Sequence, residues 1–326
     1  MVQVYSEPLS RRYYASRFSC AYLFLFALSA IAIGLPFFLA YTSTPDFWLK
    51  ADTYVEQPDV EYEYKSLLTL RGTDATGAPL QIFFSTISSV NTLYEKDVRV
   101  PLMRSTRIDR NRDGLADRHH LEVIMPLAVG ESILDASLVC FFNVKLKRRA
   151  RLDFEALTYA TSGSALPGRA LWVAGDVLFK QRAPLKAKGG YVLPYENTPL
   201  LDPATVSFEQ VQLPRLLAAS AARNYTAEFV EQYSVWSPSL GASTNSPESY
   251  TFNFTLDMRI PPADVEYTPT ATEVLKAAWI RYLSLFVVVV YLLDKVAAFI
   301  FYNQLFDTTM TVETAESKAG VKRPGF

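Results

Sequence analysis

No charged residue occurs between positions 18 and 44, and within that window the run "CAYLFLFALSAIAIGLPFFLAY" (20–41) is apolar almost throughout. A helix crossing the roughly 30 Å hydrocarbon core of a bilayer needs about 20 such residues, whereas the apolar core of a secretory signal is only about 7–15 long. The run therefore predicts an uncleaved transmembrane helix over 18–42, with Pro36 as a candidate kink. A second run, "AAWIRYLSLFVVVVYLLDKVAAFIFY" (277–302), predicts another helix over 276–302, with Arg281 snorkelling beside Trp279 and Tyr282. Asp294 and Lys295 lie inside this run. A charge costs on the order of 2.5–3.5 kcal/mol at the centre of such a helix and less toward an interface. Two readings follow: both side chains snorkel where the helix leaves the bilayer, or they contact a partner helix.

Flanking cations set the expected orientation. Arg11, Arg12 and Arg17 precede the first run, Lys50 alone follows it closely, and Lys318, Lys322 and Arg323 lie in the C-terminal tail. The positive-inside rule then places 1–17 and 303–326 in the cytoplasm and 43–275 outside, with Lys276 and Arg281 counting against that vote. Two N-glycosylation sequons, "NYT" at Asn224 and "NFT" at Asn253, agree with an extracytoplasmic segment.

That segment reads as mainly β and sandwich-like. Aromatic or β-branched stretches recur at 59–70, 80–87, 98–102, 120–127, 137–147, 152–160, 170–179 and 249–260. In the last of these Tyr250, Phe252, Phe254, Leu256 and Met258 share one face. Short strands between Gly, Pro and Asp clusters suit a sandwich. The Ala-rich stretch 208–234 reads as partly helical, 237–249 as a polar loop, and the tail after Phe306 as disordered. Trp48 is expected at the membrane interface and Trp172 and Trp236 in the core.

The formal net charge of −1 gives no basis for nucleic-acid binding. Two cysteines (Cys20, Cys140) and two adjacent histidines (His119, His120) exclude a disulfide framework and a Cys-rich zinc site. Scattered carboxylates such as Asp135 and Glu155 make no nucleophile–base set, and no small-molecule substrate is expected.

The segment closest to chemistry is "DRNRDGLAD" (109–117). Asp109, Asn111, Asp113 and Asp117 stand where a calcium loop offers side-chain oxygens, Leu115 where it offers a backbone carbonyl, and Gly114 at the sharp turn. The bidentate Glu that closes an EF-hand is replaced by His120, and the flanks read as strands. The pattern fits a D-x-D-x-D-G-x-x-D hairpin with structural calcium, or a turn held by its own Asx hydrogen bonds without metal. Arg110 and Arg112 weaken the case for a cation.

Two longer stretches carry a resemblance. "FWLKADTYVEQP" (47–58) and "RVPLMRSTRIDRNRDGLAD" (99–117) resemble segments of the transmembrane protein 231 family, with weaker matches at "LWVAGDV" (171–177), "EYTP" (266–269), "WIRYLS" (279–284) and "FYNQ" (301–304). The resemblance implies a two-span, non-enzymatic scaffold in the ciliary membrane at the transition zone. It also implies membership of a tectonic-like complex with tectonic-like and meckelin-like partners, which gates ciliary entry and supports ciliogenesis. The residues alone leave open a second class, a two-span accessory subunit of a transporter or flippase, against which the lack of an ectodomain disulfide counts.

Overall fold

The computed structural model describes residues 10–16, 18–43, 47–187, 189–202, 206–239 and 250–313. Arg17, most of the polar loop at 237–249 and the tail cations Lys318, Lys322 and Arg323 lie outside them. In chain order the first elements are β1 (Ser10–Tyr14), α1 (Cys20–Ser43), β2 (Asp52–Glu56), β3 (Asp59–Thr73), β4 (Pro79–Ser85), α2 (Ser88–Leu93), β5 (Leu102–Ile108), β6 (Arg118–Pro126) and β7 (Ser132–Leu146). Then come β8 (Leu152–Gln181), β9 (Leu185–Lys186), α3 (Phe208–Val211), α4 (Leu213–Ala221), β10 (Tyr225–Pro238), β11 (Thr251–Arg259), β12 (Ala263–Thr268), α5 (Ala271–Tyr302) and β13 (Thr309–Glu313). The chain divides into two units, Met1–Lys50 with Ala271–Phe326, and Ala51–Thr270.

In the first unit α1 and α5 are each long and apolar enough to cross a membrane. At 32 residues, α5 is about 48 Å long, so it outruns the hydrocarbon core. The helices run antiparallel. Ala40, Phe47 and Ala278 form a buried cluster at one end with Leu285 against it, and the Phe24 and Phe301 rings meet edge-on at 6.3 Å toward the other. Alanines at the contact allow the close backbone approach on which helix association in lipid depends. β1 and β13 pair antiparallel, Ser10 opposite Glu313 and Tyr14 opposite Thr309. This corrects the expectation of a disordered tail as far as Glu313: "TMTVE" carries β-branched Thr309, Thr311 and Val312 and finds a strand partner in the N-terminal segment.

The second unit is a sandwich built from one continuous eight-stranded sheet, in the order β4-β3-β7-β8-β11-β6-β5 with β10 also on β8. The 30-residue β8 makes two layers from one sheet. Its first half, from Leu152 to Gly163, pairs with β7, and its second half pairs with β10 on one side and in parallel with β11 on the other. Between the halves the register with β7 slips, so that Asp135 faces Gly163 but Ile133 faces Gly168. Four residues of β8, 164–167, stand there against one of β7; the last is Pro167, which cannot donate to a ladder, and the strand turns there into the second layer. Side chains then meet across the layers. The Phe154 and Phe179 rings, from opposite halves of β8, are 6.0 Å apart, and His119 on β6 lies 5.7 Å from Phe142 on β7.

The alternation read in β11 holds, since Phe252, Phe254, Leu256 and Met258 all face the core. The outer face of the β3–β4–β7–β8 layer is covered separately: Leu67, Phe83, Val139 and Phe141 pack with Leu200, Leu201, Val211 and Leu216. Helix at 208–234 is found only in α3 and α4. From Tyr225 the chain is β10, whose burial shows no alternation because it lies on one strand only. At 98–102, Val98 makes a single bridge to Phe83 and the strand begins at Leu102. A three-stranded sheet, β2-β12-β9, completes the unit.

Candidate functional site

The loop at 109–117 joins β5 to β6 as a hairpin, as its strand-like flanks predict. Its acidic side chains face its own amides. Asp109 accepts from the Arg112 and Gly114 N–H groups at 2.7 and 3.0 Å. Asn111 accepts from Asp113 N–H at 3.1 Å, and Asp113 from Leu115 N–H at 2.8 Å. Asp117 accepts from Arg110 N–H at 2.7 Å. These are Asx turns, and they allow positive φ at Arg112 (58°) and Gly114 (87°). The Arg110 amide first, then Gln57, holds the Asp117 carboxyl below its usual range. Among the described residues no group of three or more His, Cys, Asp or Glu side chains is gathered to hold a metal ion. Each Asp109 oxygen accepts one hydrogen bond, which leaves lone pairs free on an ionised carboxylate.

The stretches that carry the family resemblance converge on this hairpin. Gln57 donates to the Ala116 carbonyl at 3.1 Å and to Asp117 at 3.2 Å. Next to it Glu56, buried at 4% exposure, accepts the Lys147 and Arg148 amides at 2.7 and 3.0 Å, capping the β7–β8 turn. The Tyr54 hydroxyl donates to Glu56 at 2.9 Å, and burial pushes its pKa up to about 12. The Tyr267 ring packs on Tyr54 at 5.6 Å and its hydroxyl donates to Asp52 at 3.0 Å. Gln57, Glu56 and Tyr267 thereby tie β2 and the residues after it to the β5–β6 hairpin, the β7–β8 turn and β12.

A second constellation was not legible in the sequence. Asp257 on β11, 2% exposed, binds Arg118 Nε at 3.0 Å, His120 Nδ1 at 2.8 Å and Trp172 Nε1 at 3.1 Å. Burial alone raises its pKa, but the hydrogen bonds and charges of Arg118 and His120 outweigh that and hold it low. Trp172 is 46% exposed, which corrects its expected place in the core: its ring lies outside while its N–H reaches Asp257. Trp236 does pack inward, 5.7 Å from Phe252, and Trp48 is exposed beside Phe47. His119 is buried, with Nε2 2.7 Å from the Val60 carbonyl, and burial lowers its pKa.

The remaining predicted residues are divided between the chain's two units. Asn224 is exposed just before β10. Asn253 sits within β11, hydrogen-bonded to strands on both sides, with its Oδ1 buried and unpartnered. Asp294 and Lys295 are exposed on α5, Lys295 Nζ lying 5.3 Å over the Tyr291 ring. Cys140 is free and buried in the core, its thiol pKa raised by burial, and Cys20 is free and exposed.

Comparison with known proteins gives a consistent answer. The family profile described as Transmembrane protein 231 matches residues 1–310. The proteins of that name from Bos taurus and Homo sapiens are each 30% identical over 309 residues, covering 94% of this chain and 94% of their own length. That from Xenopus tropicalis is 28% identical over 308 residues, covering 94% of this chain and 95% of its own. A cryo-EM structure of a proton-activated chloride channel overlaps 86% of this chain and 97% of its own at 8% identity, with a TM-score of 0.27, too low to carry an argument. The family match runs through both apolar helices and the sandwich, and the chain belongs to the transmembrane protein 231 family.

Proposed function

We propose that this chain is a structural, non-catalytic membrane component of the ciliary transition zone. In this reading it scaffolds a tectonic-like complex, with tectonic-like and meckelin-like neighbours, that gates the entry of membrane proteins into the cilium and supports ciliogenesis. Family membership along nearly the whole chain carries the reading. The geometry supports it, because the buried polar groups Glu56, Asp257 and His119 are all engaged in holding strands together. The sandwich lies outside, both termini are cytoplasmic, and Asn224 carries the glycan. The loop at 109–117 takes a stabilising calcium ion through Asp109, Asn111, Asp113, Asp117 and the Leu115 carbonyl, with an extracellular-type affinity of about 10⁻⁴–10⁻³ M. Disrupting the gene in ciliated cells tests the function: membrane proteins normally excluded from the cilium then enter it. Unchanged exclusion with normal cilium number would overturn the proposal.

A further inference from the structure

Asp294 and Lys295 are the feature that the scaffold reading leaves unused. On α5 the side turned to α1 is marked by Ala278, Leu285 and Val289, with the Tyr282 hydroxyl reaching the Ile33 carbonyl at 3.4 Å. At about 100° per residue, Asp294 and Lys295 project about 140° and 240° round the helix from Val289. They therefore flank the stripe diametrically opposite α1, which runs through Ile280, Val287, Tyr291 and Ala298. Asp294 has no hydrogen-bonding or ionic partner among the described residues.

Depth argues against snorkelling for the aspartate. Arg281 and Asp294 are 13 residues apart on α5, or about 20 Å of helix rise. With Arg281 at one edge of a hydrocarbon core roughly 30 Å thick, Asp294 lies about 10 Å inside the other edge. A Lys stem spans part of that distance; an Asp side chain, with one methylene, does not. The carboxylate needs a partner within the membrane.

We propose that this stripe is a self-association surface, and that its occupant is a second copy of this chain. Identical chains insert in the same orientation, so two α5 helices meet parallel, related by a two-fold axis along the membrane normal. Acid and base flank the stripe on opposite sides, so the two-fold brings Asp294 of each copy to Lys295 of the other. Two reciprocal ion pairs form, and the surface is electrostatically complementary to itself. A different helix would need its own acid–base pair in matching register. α1, on the far side of α5, is left free of the contact. The proposal rests on α5 spanning the membrane.

The test uses the full chain in cell membranes, with two differently tagged copies co-expressed. Tyr291→Cys in a Cys20→Ser background is expected to give an oxidative cross-link at twice the chain mass, while Leu285→Cys, facing α1, gives none. Asp294→Lys alone and Lys295→Asp alone each lose the cross-link and the co-purification of the two tags. Co-expressing the Asp294→Lys chain with the Lys295→Asp chain restores both. Dimers that persist after the single changes, or no dimer in the wild type, overturn the proposal. So does a cross-link from Tyr291→Cys to a different protein. Protease sensitivity of a C-terminal tag in sealed microsomes is scored in every variant; a protected tag would show that α5 does not span, a separate failure from a spanning chain that does not pair.

Discussion

At the scale of single residues, the groups that matter most are polar ones deep in the sandwich. Asp257 is nearly inaccessible and bound by Arg118, His120 and Trp172. Removing one member of a buried ionic pair typically costs about 3–5 kcal/mol; Arg118, at 30% exposure, can rehydrate, which reduces that. Asp257→Ala is therefore expected to destabilise the sandwich by about 2–3 kcal/mol, read as a lower denaturant midpoint. The pH dependence follows from the lowered carboxyl pKa. A depressed pKa contributes stability that is present above the unfolded value, about 3.9, and is lost as pH falls through the folded one. Acid titration below about pH 4 should show a smaller loss of stability in Asp257→Asn than in wild type, and equal losses would remove the ion pair as the cause. The sequons divide on exposure. Asn224 is open to solvent, whereas Asn253 lies in a strand paired on both edges with its Oδ1 buried. Asn224→Gln should abolish the glycosidase-sensitive mass shift and Asn253→Gln should leave it intact. Trp172 and Asp257 were hidden in the sequence because 85 residues separate them, and only the parallel pairing of β8 with β11 brings them together.

Elements were legible where a single periodicity dominates. The uncharged run of α1 and the alternation in β11 both translate directly, since each faces one kind of surroundings along its length. β8 defeats that logic. Gly163, Pro167 and Gly168 are turn signals, yet the ladder continues past them as a bend between layers. Gly168 is needed there because a Cβ would lie 2.3 Å from the Trp236 ring. Most of β10 falls inside the stretch 208–234 that reads as partly helical; exposed along most of its length, it has no apolar–polar alternation to announce a strand. The β5–β6 hairpin was legible as a hairpin, and its Asx turns follow from Asp109, Asn111 and Asp113 at alternate positions. Its metal is a matter for titration. In millimolar calcium the melting temperature of the full chain in detergent should rise, and Asp113→Ala should lose that rise. An unchanged wild-type melting temperature would leave the loop as a turn closed by its own amides.

At the scale of the whole molecule, two apolar helices near the ends of the chain and a sandwich between them match the family from residue 1 to 310. The segments 47–58 and 99–117 carry the family resemblance in the sequence, and in the fold Gln57 joins one to the other through Ala116 and Asp117. What makes the chain recognisable is thus also what closes its β domain. Location tests the account most directly. A tagged copy expressed at native level in ciliated cells should form a ring confined between basal body and axoneme, resolved by super-resolution imaging against markers of each. Uniform signal over the plasma membrane or endomembranes, with no enrichment at the ciliary base, would contradict the account.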